Sequence, residues 1–396
     1  MFNNLKMLPP DPVFGLSEQF AKDERSDKVN LTIGIYKNND GVTPIFEAVH
    51  KAEELLLKDE RSKSYLSIEG DPLYRKLSQQ LIFGKNSNLV LNKKVQSIQT
   101  PGGTGAIKVF SDFMFERFPS STIWISNPTW GNHLSIFKNS GLKTNYYRYF
   151  DKSNQSLDFE GFKNDLKQSK PNDVVVLHAC CHNPSGVDLT LNQWEELADI
   201  CCKKELIPLF DIAYQGFGDN LKSDTIGIKI FEKKLNTFFV ANSFSKNFGL
   251  YNERIGALHI ISHNKDMSET ILTNIQPIVR SNYSNPPFHG AGIVTEILSD
   301  NVLKNLWINE LNSMRERIHN MRTLLLEQLS RKQNKVDFDY IINQKGMFSI
   351  IDLDEKQVTK LKDEFGVYLL KSGRINIAGL NDSNITYVAD SINSVL

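Results

Sequence analysis

The sequence predicts an α/β fold with a large domain, in which a mainly parallel central sheet is flanked by helices, and a smaller α+β domain built from both chain ends. Short β-rich segments alternate with helical ones from about Thr43 to Asn312, which is typical of βαβ units in a covered parallel sheet. The alternation stops after Leu311, where a long helical pattern follows. We therefore expect an N-terminal arm that forms part of the small domain at residues 1–42, the large domain at 43–312, and the rest of the small domain at 313–396.

The β-rich segments of the large domain are apolar runs that end in polar residues. They include TIWIS (122–126), VVVLH (174–178), LIPLFD (206–211) and TFFVANS (237–243). Between the second and the third, NQWEELADICCKK (192–204) spaces its apolar residues as the buried face of a helix does. Ligands of parallel sheets bind at the carboxyl ends of the strands. The polar residues that follow these runs are therefore the first candidates for a functional site.

The small domain is predicted from a different pattern. MRERIHNMRTLLLEQLSRK (314–332) has the spacing of one long amphipathic helix. Strands are expected around FDYIIN (338–343) and GMFSIIDL (346–353), followed by another helix and by SGRINIAGL (372–380). The N-terminal segment, up to about Gly41, is expected to complete this domain.

Composition excludes several classes of partner. The 396 residues are 40% hydrophobic, which is enough for two domains with a large buried core. The 46 basic and 46 acidic residues cancel, whereas a nucleic acid or an anionic membrane would favour a basic surface. No stretch approaches the roughly 20 apolar residues that cross a bilayer. The first residues, MFNNLKMLPP, match neither a signal peptide nor a transit peptide, so we expect a cytoplasmic protein.

The four cysteines form two adjacent pairs, Cys180-Cys181 and Cys201-Cys202. Neither pair has the two-residue gap of a zinc knuckle or of a redox dithiol. We expect free, largely buried thiols in a reducing compartment, and no metal site.

The segment from Ser243 to Gly256, SFSKNFGLYNERIG, is the strongest candidate for chemistry. A lysine is usually a solvated surface charge, but Lys246 follows an apolar strand and stands close to Ser243 and Ser245. A lysine that forms a Schiff base needs a desolvated site in which its amine is neutral. The hydroxyl of Ser243 and the guanidinium of Arg254, eight residues beyond Lys246, could hold a phosphate beside it.

A glycine-rich turn precedes a predicted helix in QTPGGTGAIKVF, which begins at Gln99. Glycine turns before helices are common, but this one would bring several backbone N–H groups to a helix N-terminus, where phosphates bind readily. The segment is neither a P-loop nor a dinucleotide-binding fingerprint, because it lacks the Lys-Ser/Thr ending and the three-glycine spacing.

Polar residues also follow two other predicted strands. Asn183 lies in CCHNPSG, and Asp211 and Tyr214 lie in FDIAYQGFG. Asp211 could simply cap a helix, but it ends a buried strand where a ligand would bind. A pyridine ring that acts as an electron sink needs a carboxylate to keep its nitrogen protonated. Asp211 suits that role, and Tyr214 and Asn183 could donate hydrogen bonds to a phenolic oxygen of the ring.

These segments resemble the fold-type I pyridoxal-phosphate aminotransferases, in the bacterial subgroup that acts on aspartate and aromatic amino acids. NPTWGNH, CCHNPSG, DIAYQGFG, SFSKNFGLYNERIG, RSNYSNPP and SGRINIAG occur in the family's order and at compatible spacings over essentially the whole chain. The resemblance implies that the large domain binds pyridoxal 5'-phosphate and that the chain works as a homodimer with shared active sites. Ser185 stands where the family usually has threonine, and it keeps the hydroxyl.

The resemblance also implies a catalytic set of Lys246, Asp211 and Tyr214. Lys246 would hold the cofactor as a Schiff base and would move the substrate proton. Asp211 would pair with the pyridine nitrogen, with His133 and His178 behind it. Tyr214 would contact the phenolic oxygen of the cofactor.

The same resemblance implies a set of cofactor and substrate ligands. The phosphate would be held by Gly103, Thr104, Ser243, Arg254 and, from the neighbouring subunit, Tyr65. Arg374, helped by Asn183, would clamp the substrate α-carboxylate, and Arg280 of the neighbouring subunit would meet a distal carboxylate. Trp130 would stack on the cofactor ring and, with Gly34, would line the substrate pocket.

The implied reaction is a ping-pong transfer of an amino group from an amino acid to a 2-oxo acid. Two other interpretations stay open: another pyridoxal-phosphate chemistry, such as a lyase or decarboxylase reaction, and a module that keeps the fold without activity. The pair Arg280 and Arg374 favours transamination of dicarboxylates, and the intact catalytic set disfavours an inactive module. Glutamate and 2-oxoglutarate are expected as one couple. RSDKVNL and EFGVYLLKSGR resemble the aromatic branch, whereas NFGLYNER and GGTGA resemble the aspartate branch, so the other substrate stays open.

Overall fold

A computed structural model describes residues 2–59, 62–331 and 336–396. The chain divides into two compact units: Met1–Thr43 with Arg317–Leu396, which we call the terminal unit, and Pro44–Glu316, which we call the central unit. The domain boundaries expected after residues 42 and 312 stay a prediction. No helix among the described residues is long and apolar enough to cross a membrane.

The strands and helices of the described residues are as follows. The strands are β1 (Val29–Asn30), β2 (Val95–Pro101), β3 (Thr122–Asn127), β4 (Lys143–Arg148), β5 (Phe150–Asp151), β6 (Ser156–Leu157), β7 (Val174–His178), β8 (Ile207–Ile212), β9 (Thr237–Ser243), β10 (Ile255–Ser262), β11 (Phe348–Ile350), β12 (Val367–Tyr368) and β13 (Arg374–Asn376). The α-helices are α1 (Phe14–Lys22), α2 (Glu47–Asp59), α3 (Pro72–Phe83), α4 (Asn88–Leu91), α5 (Gly102–Arg117), α6 (Gly131–Asn139), α7 (Phe159–Leu166), α8 (Leu191–Lys203), α9 (Ile226–Lys234), α10 (Lys265–Asn282), α11 (His289–Ser299), α12 (Asn301–Ser330), α13 (Tyr340–Asn343), α14 (Glu355–Phe365) and α15 (Ile385–Val395). Short 3-10 helices cover Phe2–Asn4, Ser223–Thr225 and Ile377–Gly379.

The central unit is built on a seven-stranded sheet in the order β2-β10-β9-β8-β7-β3-β4. Neighbouring strands from β9 to β4 are parallel, whereas β10 runs antiparallel to both of its neighbours, β2 and β9. The strands expected at TIWIS, VVVLH, LIPLFD and TFFVANS are confirmed as β3, β7, β8 and β9. The prediction of a mainly parallel central sheet flanked by helices is therefore confirmed.

Two helices show how the sequence positions the functional edge of this sheet. The helix expected between β7 and β8 is confirmed as α8, which begins at a capping box formed by Thr190 and Gln193.

Helix α5 packs on the sheet through Phe110, whose ring centroid lies 4.8 Å from that of Phe239 in β9. Burial of one such side chain stabilises a fold by about 1.5–3 kcal/mol. Because β2 runs in the same direction as β7, β8 and β9, the first turn of α5 lies at the edge where those three strands end.

In the terminal unit, β11 pairs with β13 antiparallel, and β1 pairs with β12 parallel. Strand β11 confirms the strand expected in GMFSIIDL. The strand expected in FDYIIN is wrong, because Tyr340–Asn343 form a short helix. Phe338 and Ile341 are both buried, and a spacing of three residues suits one side of a helical turn rather than the alternating faces of a strand.

The long helix expected from Met314 is α12, which begins earlier, at Asn301. Oδ1 of Asp300 accepts hydrogen bonds from the N–H groups of Val302 at 2.7 Å and Leu303 at 2.8 Å. A capping carboxylate of this kind stabilises the start of a helix, and the apolar pattern alone did not reveal it. The last residue expected in this helix, Lys332, lies outside the described residues.

Candidate active site

The carboxyl ends of three neighbouring strands bring the predicted catalytic residues together. In the register of the sheet, Asp211 of β8 lies between His178 of β7 and Ala241 of β9. Lys246 follows the end of β9 by three residues, and its Nζ lies 5.0 Å from the ring centroid of Tyr214. Asp211, Tyr214 and Lys246 therefore lie at the edge of the sheet where ligands of parallel sheets bind.

Asp211 is buried, yet its carboxyl group is held in the charged form. Burial raises the pKa of this carboxyl, but a hydrogen bond from His133 and the positive charge of Lys246 outweigh burial, so the pKa lies below its ordinary value. The hydrogen bond joins Oδ2 of Asp211 to Nε2 of His133 over 3.0 Å. The carboxyl ends of the strands thus carry a fixed negative charge, on Asp211, next to Lys246.

Behind Asp211, two histidines share one hydroxyl group. Oγ1 of Thr129 lies 2.9 Å from Nδ1 of His133 and 3.4 Å from Nε2 of His178. Burial lowers the pKa of His178 to about 3, so this ring is neutral near pH 7. Trp130 packs edge-on against His133, with ring centroids 5.2 Å apart. Thr129 is a site residue that the sequence analysis missed, although it directly precedes Trp130 in NPTWGNH.

The glycine-rich turn starts α5 directly at the end of β2. Gly102 has a φ of +71°, and a Cβ there would lie 2.5 Å from Nη2 of Arg254. A Cβ on Gly103 would lie 3.1 Å from the Cβ of Ser243. Glycine therefore allows the turn, the end of β9 and the guanidinium to come together. Thr104 follows in the first turn of α5, whose N–H groups have no partner within the helix and can bind an anion.

Two serines and an arginine form a hydrogen-bonded cluster beside this turn. Oγ of Ser243 lies 3.2 Å from Oγ of Ser245. Nη1 of Arg254 donates to Oγ of Ser245 at 3.3 Å and to the carbonyl oxygen of Tyr251 at 2.9 Å. The structure thus brings together hydroxyl, guanidinium and backbone donors, and together they can bind a phosphate.

The CCHNPSG segment forms the turn after β7. Asn183 and Ser185 are both buried there. Oγ of Ser185 lies 2.8 Å from Nδ1 of His182, and the His182 ring stacks on Tyr149 with centroids 3.8 Å apart. The hydroxyl that is kept at position 185 therefore has a structural partner.

Tyr65 and Arg280 are exposed and belong to one surface of the central unit. Tyr65 is 93% exposed, and Arg280 lies exposed in the last turn of α10. Arg280 hydrogen-bonds to Ser284, and Oγ of Ser284 donates to Oδ1 of Asn285 at 2.9 Å. Nδ2 of Asn285 in turn donates to the carbonyl oxygen of Leu66 at 2.8 Å, next to Tyr65. These bonds connect Arg280 to the backbone next to Tyr65, so the two exposed residues belong to neighbouring parts of one surface.

Gly34 and Arg374 lie in the terminal unit, where Phe348 contacts both. Arg374 is buried, donates to the carbonyl oxygen of Thr32, and has its Cζ 4.3 Å from the ring centroid of Phe348. A Cβ on Gly34 would lie 2.5 Å from Cζ of Phe348, so the ring leaves room only for glycine. Phe348 carries no local signal in the sequence, because the pairing of β11 with β13 creates its contact with Arg374.

The chain is similar along its whole length to aminotransferases. The family model for aminotransferase class I and II matches residues 26–392. The chain is 44% identical over 396 residues to the aspartate aminotransferase of Escherichia coli strain K12, and 42% identical over 397 positions to the aromatic-amino-acid aminotransferase of that strain, with 100% of each chain covered. The solved structure of the aromatic-amino-acid aminotransferase from Burkholderia pseudomallei, covalently bound to pyridoxal phosphate, has a TM-score of 0.98 at 40% identity and covers 100% of this chain and 99% of that chain.

Proposed function

Because the chain belongs to the aminotransferase class I and II family, we propose that it is a pyridoxal-phosphate-dependent aminotransferase. Its amino donors would be aspartate or the aromatic amino acids tyrosine and phenylalanine, its acceptor would be 2-oxoglutarate, and the reaction would be ping-pong. The observation that carries the proposal is the ionised, buried carboxylate of Asp211 beside Lys246 at the carboxyl ends of the strands.

The residues at this edge fit pyridoxal 5'-phosphate. A phosphate needs several donors, and the first turn of α5, the hydroxyl of Ser243 and the guanidinium of Arg254 would supply them, with Gly103 leaving room and Thr104 adding a hydroxyl. The pyridine nitrogen needs a carboxylate that stays charged, and the low pKa of Asp211 supports that role. Trp130 would stack on the ring.

The catalytic steps would be carried out by a small set of side chains. Pyridoxal phosphate, when bound, supplies an electron sink that makes the α-proton of an amino acid removable. Nζ of Lys246 would take that proton and later return it, as a positioned amine can. Asp211 would keep its negative charge through both steps, since Oδ2 accepts a hydrogen bond from His133. Tyr214 and Asn183 would donate hydrogen bonds to the phenolic oxygen of the cofactor.

Two arginines would recognise the substrate. Every substrate carries an α-carboxylate, which we assign to Arg374 with help from Asn183. The contacts of Arg374 with Thr32 and Phe348 support this assignment, because they hold a planar guanidinium in one orientation, ready to donate two parallel hydrogen bonds. We assign the distal carboxylate of a dicarboxylic substrate to Arg280, with Gly34 and Trp130 lining the pocket.

We further propose a homodimer in which Tyr65 and Arg280 serve the active site of the partner subunit. Both side chains are exposed on the described chain, and hydrogen bonds through Ser284 and Asn285 connect Arg280 to the backbone next to Tyr65. A two-fold symmetric partner that covers this patch would bury both groups at once.

A cytoplasmic location completes the proposal. The four cysteines, which all lie in the described part of the chain, form no disulfide bonds, as expected of a reducing compartment. The balance of 46 basic and 46 acidic residues supports small-molecule substrates, amino acids and 2-oxo acids, rather than a nucleic-acid or membrane partner.

The experiment that tests this function is a comparison of kcat/KM for aspartate and phenylalanine, with 2-oxoglutarate as acceptor. We expect Arg280→Ala to lower kcat/KM for aspartate roughly 10²- to 10⁴-fold, because a buried carboxylate without its partner costs about 3–5 kcal/mol. Phenylalanine has no distal carboxylate and should be almost unaffected. Arg374→Ala should reduce both substrates alike.

Two results would count against the proposal. Equal losses for aspartate and phenylalanine in Arg280→Ala would show that Arg280 is structural. Failure of the wild-type protein to form glutamate from any of the proposed donors would overturn the function itself.

A further inference from the structure

We propose that Cys180, Cys181 and Asp224 form a binding site for a soft divalent cation such as Zn²⁺ or Cd²⁺. The two Sγ atoms and a carboxylate oxygen of Asp224 lie within 4.8 Å of one another, and all three residues are buried. Thiolate and carboxylate groups are common ligands of Zn²⁺, and thiolates select soft cations over Mg²⁺ or Ca²⁺. The proposal gives a function to a cysteine pair for which the sequence alone indicated none.

The backbone after β7 turns two adjacent cysteines to the same side. Successive side chains of an extended strand point to opposite faces, but Cys181 has a φ of +51°, in the left-handed region. Asp188 holds this turn, because its carboxylate accepts hydrogen bonds from the N–H groups of Cys181 at 2.8 Å and His182 at 2.9 Å. Both thiols can therefore reach one point beside Asp224.

Asp224 lies in the short 3-10 helix Ser223–Thr225, between β8 and α9, and is positioned independently of the cysteines. Its carboxylate accepts hydrogen bonds from the N–H groups of Gly216 at 2.8 Å, Gly218 at 3.0 Å and Asp219 at 2.8 Å. These bonds fix the carboxylate oxygens in space.

The dimensions of the cluster suit one ion. Zn–S bonds of about 2.3 Å and Zn–O bonds of about 2.0–2.2 Å place tetrahedral ligand atoms roughly 3.5–3.8 Å apart. Small rotations of the cysteine side chains would bring the atoms from their present separations, 4.8 Å or less, to that spacing. The carbonyl oxygen of Tyr214, which lies 4.0 Å from Sγ of Cys181 and accepts a hydrogen bond from that thiol, would contact the ion as a fourth ligand once the thiol has lost its proton.

The second cysteine pair provides a matched control. Cys201 and Cys202 are also adjacent, but they lie on α8, where successive side chains point about 100° apart. Cys201 is buried and Cys202 is exposed. The two pairs thus share their sequence and differ in whether the fold brings both thiols to one point.

The test uses the holoenzyme, kept reduced with a phosphine, in a Cys202→Ser background that removes the exposed thiol. Cd²⁺ alone is titrated by equilibrium dialysis, and ultraviolet difference absorption reports Cd–thiolate bonds. We expect one Cd²⁺ per chain with a thiolate signal, and we expect Zn²⁺ alone to displace it. Cys180→Ser and Cys181→Ser should each weaken binding at least tenfold, whereas Cys201→Ser should leave it unchanged.

The Tm, measured with and without Cd²⁺, distinguishes loss of the binding site from poor folding of a variant. Cd²⁺ should raise the Tm of the Cys202→Ser holoenzyme, because a ligand that binds only the folded state stabilises it, and should leave the Tm of the Cys180→Ser, Cys181→Ser double variant unchanged. The proposal is overturned if Cd²⁺ does not bind, if it binds without a thiolate signal, or if binding survives in the double variant.

Discussion

At Asp211, burial raises the pKa of the carboxyl group while His133 and Lys246 lower it, and the lowering effects prevail. His133 contacts this carboxylate through the 3.0 Å hydrogen bond to Oδ2. Thr129 fixes this imidazole from its other side by contact with Nδ1. The charge that the proposed mechanism needs is therefore supported by Lys246 and by a histidine that the Thr129 hydroxyl orients.

The role of His133 leads to a prediction about pH dependence. The His133→Asn variant lacks the imidazole that lowers the pKa of Asp211, whereas burial still raises it. The pKa of Asp211 should therefore rise, and the carboxylate should become protonated at a higher pH. Because activity needs the carboxylate, the acidic limb of the kcat profile should move to higher pH. Measurement of kcat against pH for both proteins checks this shift.

His259→Asn is the matched control for this experiment. His259 is another buried histidine, located in strand β10 of the central sheet, and burial lowers its pKa to about 3. Its Nδ1 lies 2.8 Å from Oγ of Ser97, not against Asp211. His259→Asn should therefore destabilise the protein and leave the acidic limb in place. If both variants leave the limb where it is, His133 does not set the charge of Asp211.

The sequence predicted some site residues and missed others for a physical reason. Asp211 ends one apolar run and Lys246 follows another by three residues, so their place at the carboxyl ends of the strands could be inferred from local pattern. Phe348 acts through a contact with a residue far along the chain, whereas Thr129 contacts both His133, four positions away, and a more distant histidine. Thr129 meets His178 across 49 positions, and Phe348 meets Arg374 because β11 and β13 pair. No local signal marks such contacts.

The turn between β2 and α5 is the element on which the proposed phosphate site depends. Gly102→Ala would place a Cβ in the left-handed region, at a cost of about 1–2 kcal/mol, and would also press it against Arg254. We expect this variant to bind pyridoxal phosphate at least about tenfold more weakly, equivalent to about 1.4 kcal/mol. Cofactor titration of the apoenzyme measures the effect.

Gly84→Ala is the control variant, because it introduces backbone strain away from the proposed phosphate site. Gly84 ends α3 with a φ of +92°, and no described heavy atom beyond its chain neighbours lies within 4 Å of a Cβ there. Gly84→Ala should therefore lose stability through backbone strain without losing cofactor affinity. Equal weakening of cofactor binding in the two variants would mean that the turn at Gly102 contributes strain and not contacts.

Whether a segment forms a helix or a strand was easiest to predict where one hydrophobic periodicity extended over many residues. The thirteen residues of α8 show an uninterrupted helical pattern and a capping box, and they form the expected helix. FDYIIN is six residues long, and so short an apolar run is consistent with either a strand or a helical turn. Phe338 and Ile341 are both buried and stand three residues apart, which fits the helical turn that this segment forms.

For the whole molecule, the proposed homodimer can be tested by subunit exchange. One parent carries Tyr65→Phe and Arg280→Ala, and the other carries Lys246→Ala. A mixed dimer would contain one intact site, with Lys246 from the first chain and Tyr65 and Arg280 from the second. With aspartate as donor, we expect activity in the mixture that neither parent shows.

Two outcomes would contradict shared sites. One is a mixture that stays inactive although exchange between differently tagged chains is complete. The other is full activity of the wild-type chain at concentrations where sedimentation shows only monomers. Either result would require that Tyr65 and Arg280 act within their own chain or not at all.

The most direct test of the central claim is product analysis in a single turnover. The holoenzyme is mixed with excess glutamate in the absence of any 2-oxo acid, and 2-oxoglutarate, ammonia and CO₂ are quantified. We expect one equivalent of 2-oxoglutarate per chain, and neither ammonia nor CO₂, because the amino group stays on the protein-bound cofactor. Lys246→Ala should form 2-oxoglutarate far more slowly, since it lacks the amine that moves the proton. Release of ammonia or CO₂, or 2-oxoglutarate formation at the wild-type rate in Lys246→Ala, would contradict an aminotransferase that works through Lys246.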